Sequence, residues 1–470
     1  MKLYFYILLF LLLGLFSCQS PSPPTLNGTW KSVGSGWILH IQDSIEYSFY
    51  DLTSISCLPN RKGALDELTS SLTLKNDTLS LHKGVITYKF TSTASLPTIC
   101  TETVSERQQN DPIYNFEVFA ETVSKHYAFM QLNEIDWPKL YVQQKAKLSP
   151  KSTEAELYLV IEETLEILKD NHAYLEADEE VYEMLEEMEE GSEEEEEGET
   201  LPEYGDFQVA AMVAKHHLEE ELTRDSWLIQ WGRMTDDIGY IQVKAMWLYA
   251  DLDIPRSLIE EIGYVDAYVE TFHQMYEGDY IEQEVEGVRS IMDTVMQDLA
   301  QMQALVIDVR FNGGGQDAVS YEILSRFIPA QTQIATQKLY YENQFTPTLP
   351  LYIEGKKNAY TQPVYVLTSP QTGSAAESFS IATLSIPHIQ RIGSATSGAM
   401  STALEKTLPN GWAFAISNEI YMDNQGKCYE NQGIPVDHDL SYPRARQPFF
   451  RSVVDDLARD QAAIMAIIQP

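Results

Sequence analysis

The sequence predicts an α/β protein in which a small all-β domain at the N-terminus is followed by a helical segment and then by an α/β core. Residues 25–105 alternate apolar and polar side chains between Asn, Asp and Gly turns, which is typical of short antiparallel strands. Residues 112–170 repeat apolar side chains at helical spacing. Residues 206–445 alternate strand-like and helix-like stretches, as expected for an α/β core.

The N-terminal and helical segments supply no reactive motif. Alternating stretches such as Trp37-Ile-Leu-His-Ile-Gln predict a small antiparallel barrel or sandwich over 25–105. In the helical segment, Phe116, Phe119 and Val123 form an apolar face that is more typical of a core than of a ligand site. A second helix, over about 154–170, ends just before His172.

Ser374 occupies a position suited to a nucleophile. An apolar run from Val364 to Leu367 predicts a buried strand, and a helix pattern begins at Ala375. A serine at that junction lies among the free N–H groups of a helix start, which can hold a developing oxyanion. The alternative is that Ser374 is only an N-cap, with Glu377 completing a capping box.

A glycine run stands about sixty residues before this serine. Residues 304–309 predict a buried strand, Gly313 to Gly315 a loop, and 317–327 a helix. Exposed amides in such a loop bind anions or oxyanions, although a plain tight turn is equally compatible. Neither the dinucleotide-binding fingerprint nor the Gly-Lys-Ser/Thr of a phosphate loop is present.

Several motifs, taken in order, resemble the tail-specific (C-terminal processing) serine peptidase family. The resemblance covers about residues 112–445 and implies a crotonase-like α/β core. The motifs are Leu168-Lys-Asp-Asn-His-Ala173, Asp308-Val-Arg-Phe-Asn-Gly-Gly-Gly315, Thr372-Gly-Ser-Ala-Ala-Glu377, Gly393-Ser-Ala-Thr-Ser-Gly398, Leu408-Pro-Asn-Gly411 and Glu430-Asn-Gln-Gly-Ile-Pro-Val-Asp437.

The resemblance also implies which residues react. One branch of the family uses a lysine about 25 residues after the serine, but Ala399 stands there and Lys406 falls outside the motif. The chain is instead similar to the tricorn-like branch, which implies Ser374 as nucleophile, His172 as general base and Glu430 as the group that orients the imidazole.

The resemblance further implies an oxyanion hole and a relay. Backbone N–H groups of Ala375 and of Gly313 or Gly314 would hold the oxyanion. The branch places a serine before the histidine, where this chain has Asn171, so the relay between Glu430 and His172 stays open. As structural alternatives, His172 could be a dipole partner of the preceding helix, and Glu430 an exposed loop carboxylate.

The N-terminus resembles a bacterial lipoprotein signal. Lys2 precedes an apolar run that ends in Leu-Phe-Ser-Cys18, too short for a comfortable transmembrane helix. We therefore expect cleavage before Cys18, lipidation of that cysteine, and a protein body in the periplasm or at the cell surface of a Gram-negative bacterium. An uncleaved anchor is the alternative. Outside the cytoplasm, a disulfide between Cys57 and Cys100 is plausible, leaving Cys428 free.

The formal net charge is −38, and residues 176–200 contain 15 acidic residues and no basic one. Such a run predicts a solvated, disordered insertion. No basic patch indicates nucleic-acid binding, and no His/Cys/Glu spacing indicates a metal, so neither a nucleic-acid partner nor a cofactor is expected.

We therefore expect a membrane-anchored serine endopeptidase that hydrolyses peptides or unfolded proteins. The alternatives are a catalytically silent ligand- or peptide-binding protein on the same core and, least favoured, an acyl-CoA enzyme. The predicted segments are a signal peptide (1–18), a linker (19–24), the β-domain (25–105), a helical domain carrying His172 (112–175), the acidic insertion (176–205), the α/β peptidase core (206–445) and a C-terminal helix (446–470).

Overall fold

A computed structural model describes residues 26–189, 203–275 and 277–469. Cys18 and the rest of the predicted signal peptide and linker lie outside these residues. The strands are β1 Gly28–Ser32, β2 Trp37–Gln42, β3 Glu46–Leu52, β4 Cys57–Ala64, β5 Leu72–Lys75, β6 Thr78–Lys83, β7 Ile86–Thr93, β8 Tyr174–Glu176, β9 Glu220–Glu221, β10 Ile229–Arg233, β11 Ile238–Val243, β12 Ala304–Asp308, β13 Thr332–Tyr341, β14 Gln344–Phe345, β15 Leu349–Ile353, β16 Val364–Thr368, β17 Ile389–Gly393, β18 Ala403–Thr407, β19 Ala413–Ser417, β20 Glu419–Met422 and β21 His438–Asp439. The helices are α1 Asp66–Thr69, α2 Glu106–Gln109, α3 Pro112–His126, α4 Trp137–Lys145, α5 Glu154–Leu168, α6 Glu179–Glu189, α7 Asp206–His217, α8 Arg256–Ile262, α9 Tyr264–His273, α10 Glu277–Asp298, α11 Asp317–Leu324, α12 Ala375–Thr383, α13 Arg446–Val454 and α14 Leu457–Ile468, with 3-10 turns at Thr98–Thr101 and Ser325–Phe327.

The N-terminal region is one seven-stranded antiparallel sheet in the order β4-β3-β2-β1-β7-β6-β5. Alternate residues of these strands, among them Trp30, Leu39 and Phe90, are buried in one core. A disulfide between Cys57 and Cys100 ties β4 to the 3-10 turn that follows the sheet, with the two Cα atoms 4.9 Å apart. The α/β class with an all-β N-terminal sheet, expected from the sequence, is thus the observed fold.

Helices α3 to α5 follow, with the boundaries that their capping residues specify. Asp111 accepts the N–H groups of Ile113 and Tyr114 at the start of α3. Thr153 and Glu156 form a capping box at the start of α5. Helix α5 ends at Lys169, which adopts the left-handed conformation (φ 55°) and turns the chain toward His172.

The acidic insertion differs from the prediction of disorder over 176–205. Helix α6 lies within it, because Val181 is fully buried against the core of the helical segment. Charge density alone therefore misjudged this part, since one apolar face was enough to bind the helix to its neighbours. Residues 190–202 lie outside the described residues.

The core is a second seven-stranded sheet in the order β21-β17-β16-β12-β11-β10-β9. Neighbours from β11 to β21 are parallel, and β9 to β11 pair antiparallel. Strands β12 and β16 lie side by side, with Asp308 opposite Leu367. The loops that leave the carboxyl ends of these two strands therefore meet at the same edge of the sheet.

Two smaller sheets complete the core. Strand β13 pairs with β14, β15 and β20, and β19 lies between β18 and β8. The pairing of β8 with β19 joins Tyr174 to Ala415 and so attaches the segment after His172 to the core. The single C-terminal helix expected over 446–470 is two helices, because Asp456 caps α14 by accepting the N–H of Arg459.

Buried polar contacts fix the β-domain on the core. Lys406 of β18 and Asp51 of β3 form an ion pair at 2.6 Å, and each side chain is 5% exposed. Asn418 donates to the carbonyl oxygen of Gly34 at 3.1 Å. Within the described residues, none of the helices combines the length and the apolar character that a membrane span requires.

Candidate active site

Ser374 stands at the N-terminus of α12 in a strained backbone conformation. Its φ is 51° and its ψ is −125°, and its side chain makes no capping hydrogen bond. The capping-box alternative is therefore wrong, because Glu377 contacts other groups. A left-handed serine on a turn between a strand and a helix is typical of an exposed nucleophile.

Glu377 fixes the loop of residues 396–399, and this loop in turn positions Ser374. Its carboxylate is fully buried and accepts hydrogen bonds from the Thr396 hydroxyl (2.5 Å), the Ser397 hydroxyl (2.8 Å), and the N–H groups of Gly398 (2.9 Å) and Ala399 (2.6 Å). Burial raises the pKa of Glu377, while these donors oppose the rise. The carbonyl oxygen of Ala399 in turn accepts the N–H of Ser374 at 2.9 Å.

The glycine loop packs directly against the nucleophile. A Cβ placed on Gly314 would lie 2.6 Å from the Cβ of Ser374, and the φ of Gly314 is +117°. Asn312 is buried and shapes this loop by accepting the N–H of Gly314 at 2.9 Å and, through its carbonyl oxygen, the N–H of Gly373 at 3.1 Å. Only a glycine permits this approach at residue 314.

The same contacts show which of the expected oxyanion donors already have an acceptor. The N–H of Gly314 already donates to the Asn312 side chain. Among the described residues, the N–H groups of Ala375 and Gly313 have no acceptor. Ala375 is the first residue of α12, whose N–H cannot be satisfied within the helix. These two amides are therefore the available donors of the three that the sequence suggested.

His172 is placed by Asp170 and the β8–β19 pairing. The Asp170 carboxylate accepts the N–H of His172 at 3.0 Å and both the N–H and the hydroxyl of Ser417 at 2.7 Å. Burial lowers the pKa of His172, and the Asp170 charge partly restores it. Its Nδ1 atom is buried without a hydrogen-bond partner among the described residues. His172 and Ser374 line one cavity of about 530 Å³.

Glu430 lies close to this site but does not contact the imidazole. It is 3% exposed and accepts the N–H of Met400 at 3.0 Å. Burial, with the charges of Glu377 and Asp170 nearby, raises the pKa of Glu430 to about 8. No hydrogen bond between described residues joins Glu430 to His172.

Asn171 does not supply the expected relay. Its amide donates at 3.4 Å to the carbonyl oxygen of Gly398 and to the side chain of Asn431, both weak contacts. Asp170, which the sequence reading did not select, is the carboxylate whose charge reaches His172. The sequence could have indicated Asp170, because it stands two residues before the histidine within the same motif.

The cavity is shared between the core and the β-domain. Trp37, Lys83 and Tyr88 of the β-domain form one wall, and the Lys83 ammonium stacks over both rings. Asp317, the first residue of α11, also lines the cavity and was left unassigned by the sequence analysis. The N-terminal sheet therefore contributes to the lining of the same cavity as Ser374 and His172.

Within the described residues, no three or more His, Cys, Asp or Glu side chains are grouped so that they could hold a metal ion. Cys428 is free and half-buried, and burial raises the pKa of its thiol, which disfavours the reactive thiolate.

Comparison with known proteins agrees with this architecture. The family model "Peptidase family S41" matches residues 237–440. A candidate peptidase from Parabacteroides merdae is 18% identical, with a TM-score of 0.54, over 76% of this chain and 96% of that chain. Mature CPAF, solved in complex with lactacystin, is 11% identical, with a TM-score of 0.50, over 77% of this chain and 100% of that chain. At such identities the structures show a common fold, and the family match over residues 237–440 supports the chemistry: the chain is a serine-type peptidase.

Proposed function

We propose that this serine-type peptidase is an extracytoplasmic endopeptidase that hydrolyses peptides or unfolded proteins with Ser374 as nucleophile and His172 as general base. The observation that carries the proposal is that the strained Ser374 and the imidazole of His172 line one cavity. Segments 202 residues apart in the chain supply these two groups, and the β8–β19 pairing attaches the segment after His172 to the core.

The chemistry follows from the groups around the cavity. The Ser374 hydroxyl attacks the scissile carbonyl while His172 takes its proton and later returns it to the leaving amine. A lowered pKa keeps His172 neutral, and thus able to accept a proton, at neutral pH. The N–H groups of Ala375 and Gly313 hold the oxyanion, and each such donor typically contributes about 100- to 1000-fold to turnover.

A lysine base does not fit these contacts. Ala399 occupies the position that the lysine branch would use, and its carbonyl oxygen holds the Ser374 N–H. Lys406 is committed to the buried pair with Asp51. Within the proposal, His172 is therefore the base.

The third member of the set is proposed to be Glu430. Its carboxylate stabilises the imidazolium once substrate binding draws the His172 turn toward it. Asp170 is the competing candidate, because its charge already raises the pKa of His172. The two assignments predict different pH profiles, which are compared in the Discussion.

The proposed location rests on the N-terminal sequence and on the disulfide. Cys57 and Cys100 are joined, and disulfides persist mainly outside the cytoplasm. Lipidation at Cys18 is testable by growing cells that express the protein or its Cys18→Ala variant with a labelled fatty acid. We expect label and membrane association for the parent only; a labelled Cys18→Ala variant would contradict lipidation at this residue.

The activity is tested by incubating the purified protein with unfolded casein and a mixed peptide library, with cleavage measured by mass spectrometry. We expect cleavage by the parent and none by Ser374→Ala. Ser380→Ala is the matched control, because Ser380 lies on the same helix and only donates to the Ala376 carbonyl oxygen. Equal cleavage by the parent and Ser374→Ala would overturn the assignment. No cleavage by the folded parent would favour a ligand-binding protein.

A further inference from the structure

Beside the nucleophile, the cavity exposes a carboxylate that lacks a cationic partner. Asp317 lines the same cavity as Ser374 and His172 and is partly exposed to it. Its Oδ2 atom accepts the Tyr421 hydroxyl at 3.1 Å. Across the described residues, no lysine, arginine or histidine lies within ion-pair distance of Asp317.

A second carboxylate stands behind the first. Glu419 is 1% exposed and is bonded to Gln337, and it also has no cationic partner among the described residues. Burial and the neighbouring Asp317 charge raise the pKa of Glu419 to about 7. Two neighbouring carboxylates, one buried and one partly exposed, are costly without a cation, so a positive charge arriving at Asp317 would be stabilised.

Two orphaned hydroxyl groups surround Asp317. Ser378 Oγ is 1% exposed and Tyr321 Oη belongs to a side chain that is 5% exposed, and neither has a hydrogen-bond partner in the described part of the chain. The Ser378 hydroxyl lowers the pKa of Asp317, and Asp317 raises the pKa of Tyr321. Each hydroxyl oxygen also has lone pairs that can accept a hydrogen bond, so the carboxylate and these two oxygens together form an acceptor set.

The position of this acceptor set fits the residue on the acyl side of the cleaved bond. Ser378 follows Ser374 by four residues and so lies on the same face of α12, about 6 Å along the helix. That is comparable with the reach of a four-carbon lysine stem.

We propose that Asp317 is the specificity-determining residue of a pocket that receives a lysine side chain immediately before the cleaved bond. This rests on the proposed peptidase function. An ammonium offers three donors, which match the Asp317 carboxylate and the two orphaned hydroxyls. Arginine fits less well, because bidentate pairing needs both carboxylate oxygens and Tyr421 already occupies one.

The test uses N-acetylated, internally quenched peptides that differ only before the cleaved bond, with lysine, arginine or norleucine there. Norleucine keeps the stem and removes the ammonium, and acetylation leaves the side chain as the relevant cation. We expect kcat/KM for lysine to exceed that for norleucine by about 10- to 100-fold, the range of one or two hydrogen bonds to a charged group. Asp317→Asn should bring the ratio of the lysine to the norleucine kcat/KM close to one.

Asp423→Asn is the matched control. Like Asp317, Asp423 accepts a tyrosine hydroxyl, from Tyr429 at 2.8 Å, but it is buried and does not line the cavity. We expect this variant to keep the lysine preference. A parent without lysine preference, or an Asp317→Asn variant that loses activity equally on both peptides, would overturn the inference.

A measurement of peptide binding distinguishes a failure of this inference from a failure of the proposed function. In the Ser374→Ala background, the Kd of the lysine and norleucine peptides is measured with and without Asp317→Asn. Lysine-dependent binding that Asp317→Asn removes, together with no cleavage of any peptide by the folded parent protein, would support the pocket and reject the peptidase proposal. Cleavage without any lysine preference would do the reverse.

Discussion

The two halves of the candidate active site differ in how completely they are built. On the nucleophile side, each carboxylate oxygen of Glu377 accepts two hydrogen bonds. A continuous series of hydrogen bonds runs from Glu377 through Ala399 to Ser374. On the base side, His172 Nδ1 has no partner among the described residues, and Glu430 contacts only backbone. The nucleophile is therefore preorganised. We expect the base to gain its partner when substrate binds, because catalytic hydrogen bonds are often long or poorly aligned in the substrate-free enzyme.

The nucleophile half is most directly broken at Gly314. In Gly314→Ala, the new Cβ would meet the Ser374 Cβ at 2.6 Å and the Ala375 nitrogen at 3.0 Å. We expect kcat/KM to fall by about 100- to 1000-fold, the loss typical of a misplaced oxyanion donor. Gly411→Ala is the control, since Gly411 also has a positive φ (+97°) but nothing within 4 Å. Equal activity losses in the two variants would show that backbone strain, and not the contact with Ser374, is responsible.

Glu377→Gln should weaken both the loop and the activity. The amide can accept fewer of the four hydrogen bonds, so we expect the free energy of unfolding to fall by about 2–4 kcal/mol. We also expect kcat to fall by about 10- to 100-fold with little change in KM, because Ser374 shifts.

The control for Glu377 is Glu284→Gln. Glu284, on α10, is also fully buried and accepts the N–H groups of Leu248 and Tyr249 and the hydroxyl of Tyr268, but it does not line the cavity that contains Ser374. It should lose comparable stability in urea denaturation while kcat changes less than fivefold. A similar loss of kcat in both variants would remove Glu377 from the positioning of the nucleophile.

The pH dependence of kcat/KM distinguishes Glu430 from Asp170 as the carboxylate that assists His172. If Glu430 must be ionised, kcat/KM rises as the pH passes about 8, and Glu430→Gln abolishes that rise. If Asp170 serves His172, Glu430→Gln keeps the profile and Asp170→Asn alters it. Stability must be measured in parallel. Because the pKa of Glu430 is higher in the folded state, the folded protein holds the extra proton, and its stability falls as the pH rises from about 4.5 to 8.

The smallest effect is expected at Asn171. Asn171→Ala should change kcat/KM by less than about threefold, because the amide makes two weak contacts and touches neither His172 nor Glu430. Asn431→Ala provides the comparison on the other side of that contact. A loss above tenfold in Asn171→Ala alone, in steady-state assays, would restore the relay through this residue.

Local pattern was sufficient for the elements that carry the nucleophile. The apolar runs at 304–309 and 364–367 became β12 and β16, and the helices after them begin at Asp317 and Ala375, the residues expected. Parallel neighbours place their loops together, so the meeting of Gly314 and Ser374 follows from those strands. The same local reasoning misassigned Glu377 to a capping box, because its partners lie about twenty residues further along the chain.

Long-range packing decided the rest. The acidic segment contains α6 because Val181 finds a buried surface that no charge count could reveal. The assignment of the carboxylate beside His172 depends on distances between Asp170, Glu430 and the ring, which sequence spacing does not determine. Asp317 gained its position from the packing of α11 on α12 and from the Tyr421 hydroxyl.

The sequence by itself determined the fold class and the strand-loop-helix units, because hydrophobic period and glycine geometry act over a few residues. The serine peptidase followed from the resemblance of its ordered motifs to a known family. Only the tertiary structure decided which buried carboxylates are satisfied and which are left without a partner. Desolvation and hydrogen bonding depend on every group that surrounds a side chain, and in Glu377, Glu430 and Asp317 those groups come from distant parts of the chain.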